Sequence, residues 1–160
     1  MADRTPAAAR PLPLYEGQQE VKLRTWLQLA RTFYIVQRRV VSALSEHDIT
    51  LPQFDVLATL RFNEGVTQQE LAQRLLVTKG NVCGILDRLE RSGWVERRQD
   101  PKDGRANRLH LTPAGHRKID SVVPDHDAVV LRSLRTLAAS DARTVRALLE
   151  EVARADQETG

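Results

Sequence analysis

Residues 67–112 read TQQELAQRLLVTKGNVCGILDRLERSGWVERRQDPKDGRANRLHLT, and this stretch decides the fold. It opens on Thr67-Gln68-Gln69-Glu70, a capping box in which the Thr hydroxyl and the Glu carboxylate each satisfy a backbone N–H that the first helical turn leaves free. A helix is therefore expected to start here, with Leu71, Ala72, Leu75 and Leu76 as its apolar residues. After Val77-Thr78 a second helix is expected to run to Gly93, with Val82, Ile85, Leu86 and Leu89 at helical spacing. Small Ala72 suits a close crossing of the two helices, with Val82 and Ile85 as the opposing surface. Trp94 to Arg98 and Arg108 to Leu111 then read as paired strands around the turn-rich tip Asp100-Pro101-Lys102-Asp103-Gly104-Arg105. Two short helices joined by a turn and followed by a basic hairpin make a device for gripping duplex DNA.

The charge distribution supports that partner. The chain's formal charge is only +3, a weak argument taken alone. Between residues 78 and 118, however, ten bases (Lys79, Arg88, Arg91, Arg97, Arg98, Lys102, Arg105, Arg108, Arg117, Lys118) face five acids (Asp87, Glu90, Glu96, Asp100, Asp103). The remainder is slightly acidic, so positive charge collects where phosphate contact needs it. A solvated charged surface is the plainer reading, and the adjoining helix pair weighs against it.

Working outward, residues 20–45 carry Leu23, Trp26, Ala30, Phe33, Val40 and Leu44 at spacings of three and four, flanked by Leu27, Tyr34 and Val41. This stripe is wider than one face needs against a small domain. Residues 51–62 predict a second helix with Pro52 in its first turn and Asn63-Glu64-Gly65 at its end. Thr112 is expected to cap a long helix that Pro124 kinks or breaks near its middle. A last helix is expected from Ser140, carrying Val145, Leu148, Leu149 and Val152. The first and last helices flank the reading module, and their apolar stripes lack partners inside one subunit. Pairing across a two-fold axis would bury them, so a homodimer is expected, with two reading helices in successive major grooves of a palindromic operator.

The 160 residues suit one ordinary domain. We divide them into an arm, 1–18, and a single domain, 19–160, in which 19–50 and 112–160 form dimerisation helices and 51–111 the winged helix-turn-helix. The fold class is mainly α with a small β-hairpin wing. No apolar run approaches the ~18 residues a membrane helix needs, and Met1 to Pro13 lacks the apolar core of a secretory signal. The single cysteine fits a reducing compartment, so a cytoplasmic protein without membrane association is expected.

On a helical wheel, turning Val82, Ile85, Leu86 and Leu89 inward places Gly80, Gly84, Asp87 and Arg91 outward, with Asn81, Cys83 and Arg88 on the flanks. Two outward glycines are poor for helix propensity. Either they let the backbone approach DNA closely, or they pack on a neighbouring element. Thr78, Lys79 and Asn81 lie near the helix N-terminus, where they reach phosphates or base edges. With Thr67, Gln68 and Lys102 they complete the expected DNA contacts. Arg105 is expected in the minor groove, which a hairpin tip enters and whose negative potential attracts arginine.

These residues resemble the MarR (multiple antibiotic resistance regulator) family of winged helix-turn-helix transcription factors. The resemblance rests on Thr67-Gln68-Gln69-Glu70-Leu71-Ala72, on Val77-Thr78-Lys79-Gly80-Asn81-Val82, and on Leu86 through Arg97. It also includes Asp100-Pro101-Lys102-Asp103-Gly104-Arg105 and its continuation to Leu109-His110-Leu111-Thr112. It implies a homodimeric DNA-binding regulator, usually a repressor released by a small molecule or an oxidant. The family wing commonly has a second arginine where this chain has Gly104. By analogy Asp103 orients the wing through a nearby arginine.

Family ligands commonly sit between the dimerisation helices and the DNA-binding lobe, and small aromatic or phenolic acids recur among them. Here Trp26, Tyr34 and Phe54 are candidates for stacking, beside Phe33, and Arg38 for a carboxylate; an aromatic stripe at helical spacing also reads as plain core. Cys83 is an alternative trigger, since oxidation beside the DNA-reading surface would disrupt binding; an inert small residue is the competing reading. Neither His116 with Asp120 nor Asp125-His126-Asp127 has a metal-ligand spacing, and no cofactor is expected. No nucleophile and base converge as an enzyme would require. The remaining alternative is a winged helix that binds protein instead of DNA.

Overall fold

The computed structural model describes residues 17–100 and 106–157. Most of the predicted arm and the wing-tip residues Lys102, Asp103 and Arg105 lie outside them. The order is α1 (Gln18–Ser45), α2 (Leu51–Phe62), β1 (Val66–Thr67), α3 (Gln68–Arg74), α4 (Lys79–Arg91), β2 (Val95–Gln99), β3 (Asn107–Leu111), α5 (Pro113–Ser133) and α6 (Ala139–Gln157). The chain divides into two compact units, residues 1–38 and 39–160. The first holds the described part of α1 up to residue 38, where Trp26, Phe33 and Tyr34 are exposed.

The second unit has one core. Its fully buried members are Leu44 from α1, Val56, Leu57 and Leu60 from α2, Leu71 from α3, Val82, Leu86 and Leu89 from α4, Leu109 from β3, and Ile119 and Val122 from α5. Each fully buried aliphatic side chain contributes roughly 1.5–3 kcal/mol, and here those contributions hold the two helices of the reading motif to the sheet. The sheet has the order β1-β3-β2, antiparallel throughout. Val95 pairs with Leu111 and Arg97 with Leu109 in the wing register. Strand β1 has no signature in the sequence, because two residues are too few for a period of two to show. It pairs Val66 with Leu109 and Thr67 with Arg108, so the capping box also sits on the sheet edge.

The helix boundaries have local causes. Thr67 accepts from the Glu70 N–H at 3.2 Å while Glu70 accepts from the Thr67 N–H at 2.6 Å, the predicted box. Thr112 accepts from the Gly115 N–H at 3.0 Å and starts α5. Helix α4 ends in Gly93 at φ +70°, with its N–H on the Glu90 carbonyl and the Trp94 N–H on that of Leu89, a Schellman closure. Pro124 does not break α5, which continues to Ser133. Proline deletes one ladder bond, and burial of Ile119 and Val122 just before it secures the helix.

Candidate nucleic-acid interface

Helices α3 and α4 pack on each other, with Leu71, Ala72 and Val82 buried and Ile85, the other residue expected at the crossing, half-buried. The turn between them is a second Schellman closure: the Leu76 N–H bonds the Gln73 carbonyl and the Val77 N–H that of Ala72. Leu76 occupies the left-handed position at φ +53°, where glycine is usual. Gln68, the first residue of α3, ties that end to the start of α4, its Nε2 donating to the Lys79 carbonyl at 3.1 Å.

The solvent face of α4 carries the predicted reading residues. Thr78, the N-cap, accepts from the Asn81 N–H at 3.3 Å. Lys79, Gly80, Asn81, Cys83, Gly84, Arg88 and Arg91 are all exposed. A Cβ built at Gly80 meets nothing within 4 Å, and one at Gly84 meets only the Arg88 guanidinium at 3.9 Å. The glycine face therefore packs on no other element of the described chain. Arg88 and Arg91 lie back along the helix, their Nε groups donating to the Gly84 and Asp87 carbonyls at 3.1 Å each. Among the described residues neither they nor Lys79 meet a carboxylate, so their charges remain free for phosphate.

Three other arginines of this lobe are paired within the fold. Arg97 on β2 bonds both Asp87, at 2.7 Å, and Glu90 of α4. The hydrogen bond that Arg97 donates to Asp87 raises the Arg97 pKa above its ordinary value against an opposing effect of burial, and the charge of Glu90 adds to the rise. Arg98 pairs with Glu96. Arg108 holds buried Asp100 through Nε at 2.7 Å and the Gly65 carbonyl through Nη1 at 2.8 Å, fastening the wing base to the start of β1. The excess of bases is thus partly neutralised within the fold, while among the described residues Lys79, Arg88 and Arg91 at the α4 surface form no ion pair.

A cleft of about 290 Å³ separates the start of the reading motif from the wing, lined by Thr67, Gln68, Gln69, Lys79, Arg97, Ala106, Asn107 and Leu109. Thr67 and Gln68, predicted to contact DNA, face it while serving as cap and helix tie. Trp26, Tyr34 and Arg38 lie on α1 in the first unit, the two aromatics exposed, whereas Phe54 is buried in the second and stacks on His126 at 4.4 Å.

The wing is locked to α5 at a point the sequence did not reveal. The Thr112 hydroxyl donates to the Gly93 carbonyl at 2.6 Å, and the Thr112 N–H to the Trp94 carbonyl at 3.0 Å. Gly115 allows this, since a Cβ there would lie 2.0 Å from the Trp94 oxygen. Glu64 caps the same corner, accepting from the Leu111 N–H at 3.1 Å with His116 at 3.0 Å and His110 at 3.7 Å. Burial pushes the Glu64 carboxyl up, but the Leu111 N–H and the two imidazoles together outweigh it and lower its pKa.

A MarR family model matches residues 47–106, which span α2, the helix pair and the first strand of the wing. An HTH-type transcriptional regulator of Bacillus subtilis, YkoM, is 31% identical over 140 residues, covering 88% of this chain and 91% of the relative. Wild-type MarR from E. coli in its apo form is 30% identical with a TM-score of 0.68, covering 78% of this chain and 93% of its own. The chain belongs to the MarR family. A mutant MarR from E. coli complexed with operator DNA is 28% identical with a TM-score of 0.75, over 86% of this chain and 99% of the other. CouR from Rhodococcus jostii RHA1, bound to p-coumaroyl-CoA, is 27% identical with a TM-score of 0.73, over 79% and 89%. A MarR-family transcriptional regulator with a winged helix-turn-helix is thus what the residues and the fold both describe. Among the described residues no helix is long and apolar enough to cross a membrane.

Proposed function

We propose that this MarR-family chain is a ligand-responsive repressor that binds a palindromic operator as a homodimer in the cytoplasm and catalyses no reaction. The observation that carries the reading is the solvent face of α4, where Thr78, Lys79, Asn81, Arg88 and Arg91 surround two glycines that touch nothing else. Such a face lets a helix backbone settle close to base edges, with Thr78, Lys79 and Asn81 at the positive end of the helix dipole. Thr67 and Gln68 border the cleft beside it. In this reading Lys102 and Arg105 extend the contact from the wing, Arg105 in the minor groove, and Asp103 orients the tip.

The dimer is supported by α6. Val145, Leu148, Leu149 and Val152 are exposed, and none of the described α6 side chains is buried. An amphipathic helix with its apolar stripe in water calls for a partner, and a second copy supplies the same stripe by symmetry. The effector is read as a small aromatic or phenolic acid, with Trp26, Tyr34, Arg38 and Phe54 as its candidate contacts. The p-coumaroyl group in the CouR complex is of that class.

Fluorescence anisotropy on the DNA immediately upstream of the gene tests the reading, with protein titrated at several salt concentrations and then challenged with phenolic acids or peroxide. Tight binding that weakens steeply with salt and is reversed by a phenolic acid is the expected result. Reversal by peroxide alone, abolished in Cys83→Ser, would transfer the trigger to the thiol. Affinity no greater than for a random duplex would remove autoregulation and favour a protein partner for the wing.

A further inference from the structure

The structural arginines of the second unit face carboxylates. Arg61 meets Asp120, Arg97 meets Asp87 and Glu90, Arg98 meets Glu96, and Arg108 meets Asp100. Arg39, Arg132 and Arg135 depart from this pattern. All three line one cleft of about 330 Å³ together with Val129 and Ser133. Among the described residues none of the three forms an ion pair. Arg39 donates through Nη1 to the Ser133 hydroxyl at 3.4 Å, Ser133 donates to the Val129 carbonyl at 2.9 Å, and Arg135 donates through Nη1 to the Arg132 carbonyl at 2.9 Å.

Three guanidiniums around one small space repel one another. The C-terminal end of α5, at Ser133, offsets part of that repulsion, because its free carbonyls amount to roughly half a negative charge. Half a charge offsets only part of one arginine in the last helical turn and leaves the others uncompensated. Most of the guanidinium N–H donors remain unused, since each arginine has about five in a fixed fork. An anion with several oxygens would satisfy them.

We propose that this cleft binds a small, multiply charged anion of the phosphate-ester or diphosphate class, held by the forks of Arg39, Arg132 and Arg135. Guanidinium geometry matches phosphate oxygens two at a time, and a tetrahedral group offers oxygens to more than one fork. A lone carboxylate engages only one. No aromatic residue lines the cleft, so its chemistry differs from the stacking site expected for phenolic acids. Citrate shares the charge but not the tetrahedral group, and so distinguishes a polycarboxylate from a phosphate.

The place of the cleft suits an effector. Helix α5 begins at the Thr112 and Gly115 contacts that hold Gly93 and Trp94, where the reading helix passes into the wing. It ends about 30 Å away, at ~1.5 Å per residue, in the arginines. An anion that draws Arg39 of α1 toward Arg132 shifts one end of a helix whose other end fixes the wing. This effector role rests on the regulator reading, whereas binding of the anion does not.

Isothermal calorimetry of the full chain with sodium pyrophosphate, and separately with citrate, at constant ionic strength and without DNA, tests the site. Saturable binding of pyrophosphate that weakens at least tenfold in Arg39→Ala and Arg132→Ala, with Arg143→Ala on α6 unchanged, is expected. Arg132→Lys keeps the charge and loses the fork, so an intermediate loss is expected even if Arg132→Ala does not fold. No saturable heat, equal heat in the variants, or stronger binding of citrate would overturn the proposal. So would loss of duplex affinity in Arg132→Ala without any pyrophosphate binding, because the arginines would then belong to a DNA contact. If the protein binds pyrophosphate but no operator, the anion site stands and only the regulator reading fails.

Discussion

Arg97 on the first wing strand reaches across to Asp87 on the exposed face of the reading helix, Nη2 to Oδ1 at 2.7 Å, and touches Glu90 one turn further on. One guanidinium thereby ties wing to helix and offsets half the charge of two acids beside the surface assigned to DNA. Replacing it with Ala leaves two carboxylates facing phosphate. Because both carboxylates keep much of their contact with water while Arg97 is partly covered, the loss of folding stability is expected at about 1 kcal/mol. Operator affinity is expected to fall by about tenfold, or ~1.4 kcal/mol. Anisotropy beside thermal unfolding checks both, and a large fall in stability with unchanged affinity would show that Arg97 serves only the fold.

Gly84→Ala separates stability from function. The new Cβ meets no closer neighbour than the Arg88 guanidinium at 3.9 Å, so the substitution gains roughly 0.5–1 kcal/mol of helix stability. If the backbone lies against DNA, the same methyl weakens operator binding. A more stable protein with a poorer grip is the expected pair of results, read by urea unfolding and anisotropy.

Gly115→Ala should act in the opposite sense on the fold. A Cβ 2.0 Å from the Trp94 oxygen forces α5 away from the wing base. The cost is expected at about 3 kcal/mol, the upper part of the range for overpacking. A shift in the urea midpoint of less than about a tenth would mean that α5 relaxes freely there.

Acid should weaken the corner that Glu64 holds. Burial raises its carboxyl pKa, but the Leu111 N–H and the His116 and His110 rings outweigh that effect, so the folded group titrates below its ordinary range. A lowered folded-state value means that the stabilisation is complete at pH above the ordinary carboxylate range of about 4 and disappears as pH falls through the lowered value. The difference in melting temperature between the native chain and Glu64→Gln is therefore expected to shrink between about pH 5 and pH 3. A constant difference would assign the effect to shape instead of charge.

Features with a one-dimensional signature were legible in the residues. The capping box of Thr67 and Glu70, the cap of Thr112 and the left-handed glycine after α4 act over a few neighbouring residues. The apolar spacing of Val82, Leu86 and Leu89 likewise reports one buried helix face. Leu76 reads in sequence only as an apolar residue of the first helix. It sits at φ +53° because the turn between α3 and α4 imposes that conformation, and leucine carries no turn signal. The two-residue strand β1 is equally silent.

The order of charges and apolar residues along the chain was enough to specify a winged helix-turn-helix, and to place positive charge on it. It could not say which bases were free. Arg97 and Arg108 look the same in sequence as Arg88 and Arg91, yet they are engaged by Asp87 and Asp100, residues whose approach depends on strand pairing and helix packing. The close fit of Gly115 to Trp94 and the meeting of Arg39 with Arg132 and Arg135 arise in the same way. Local chemistry sets helix ends and buried faces because its partners are neighbours in the chain; these cross-element ion pairs and close approaches belong to residues that only the folded backbone brings together.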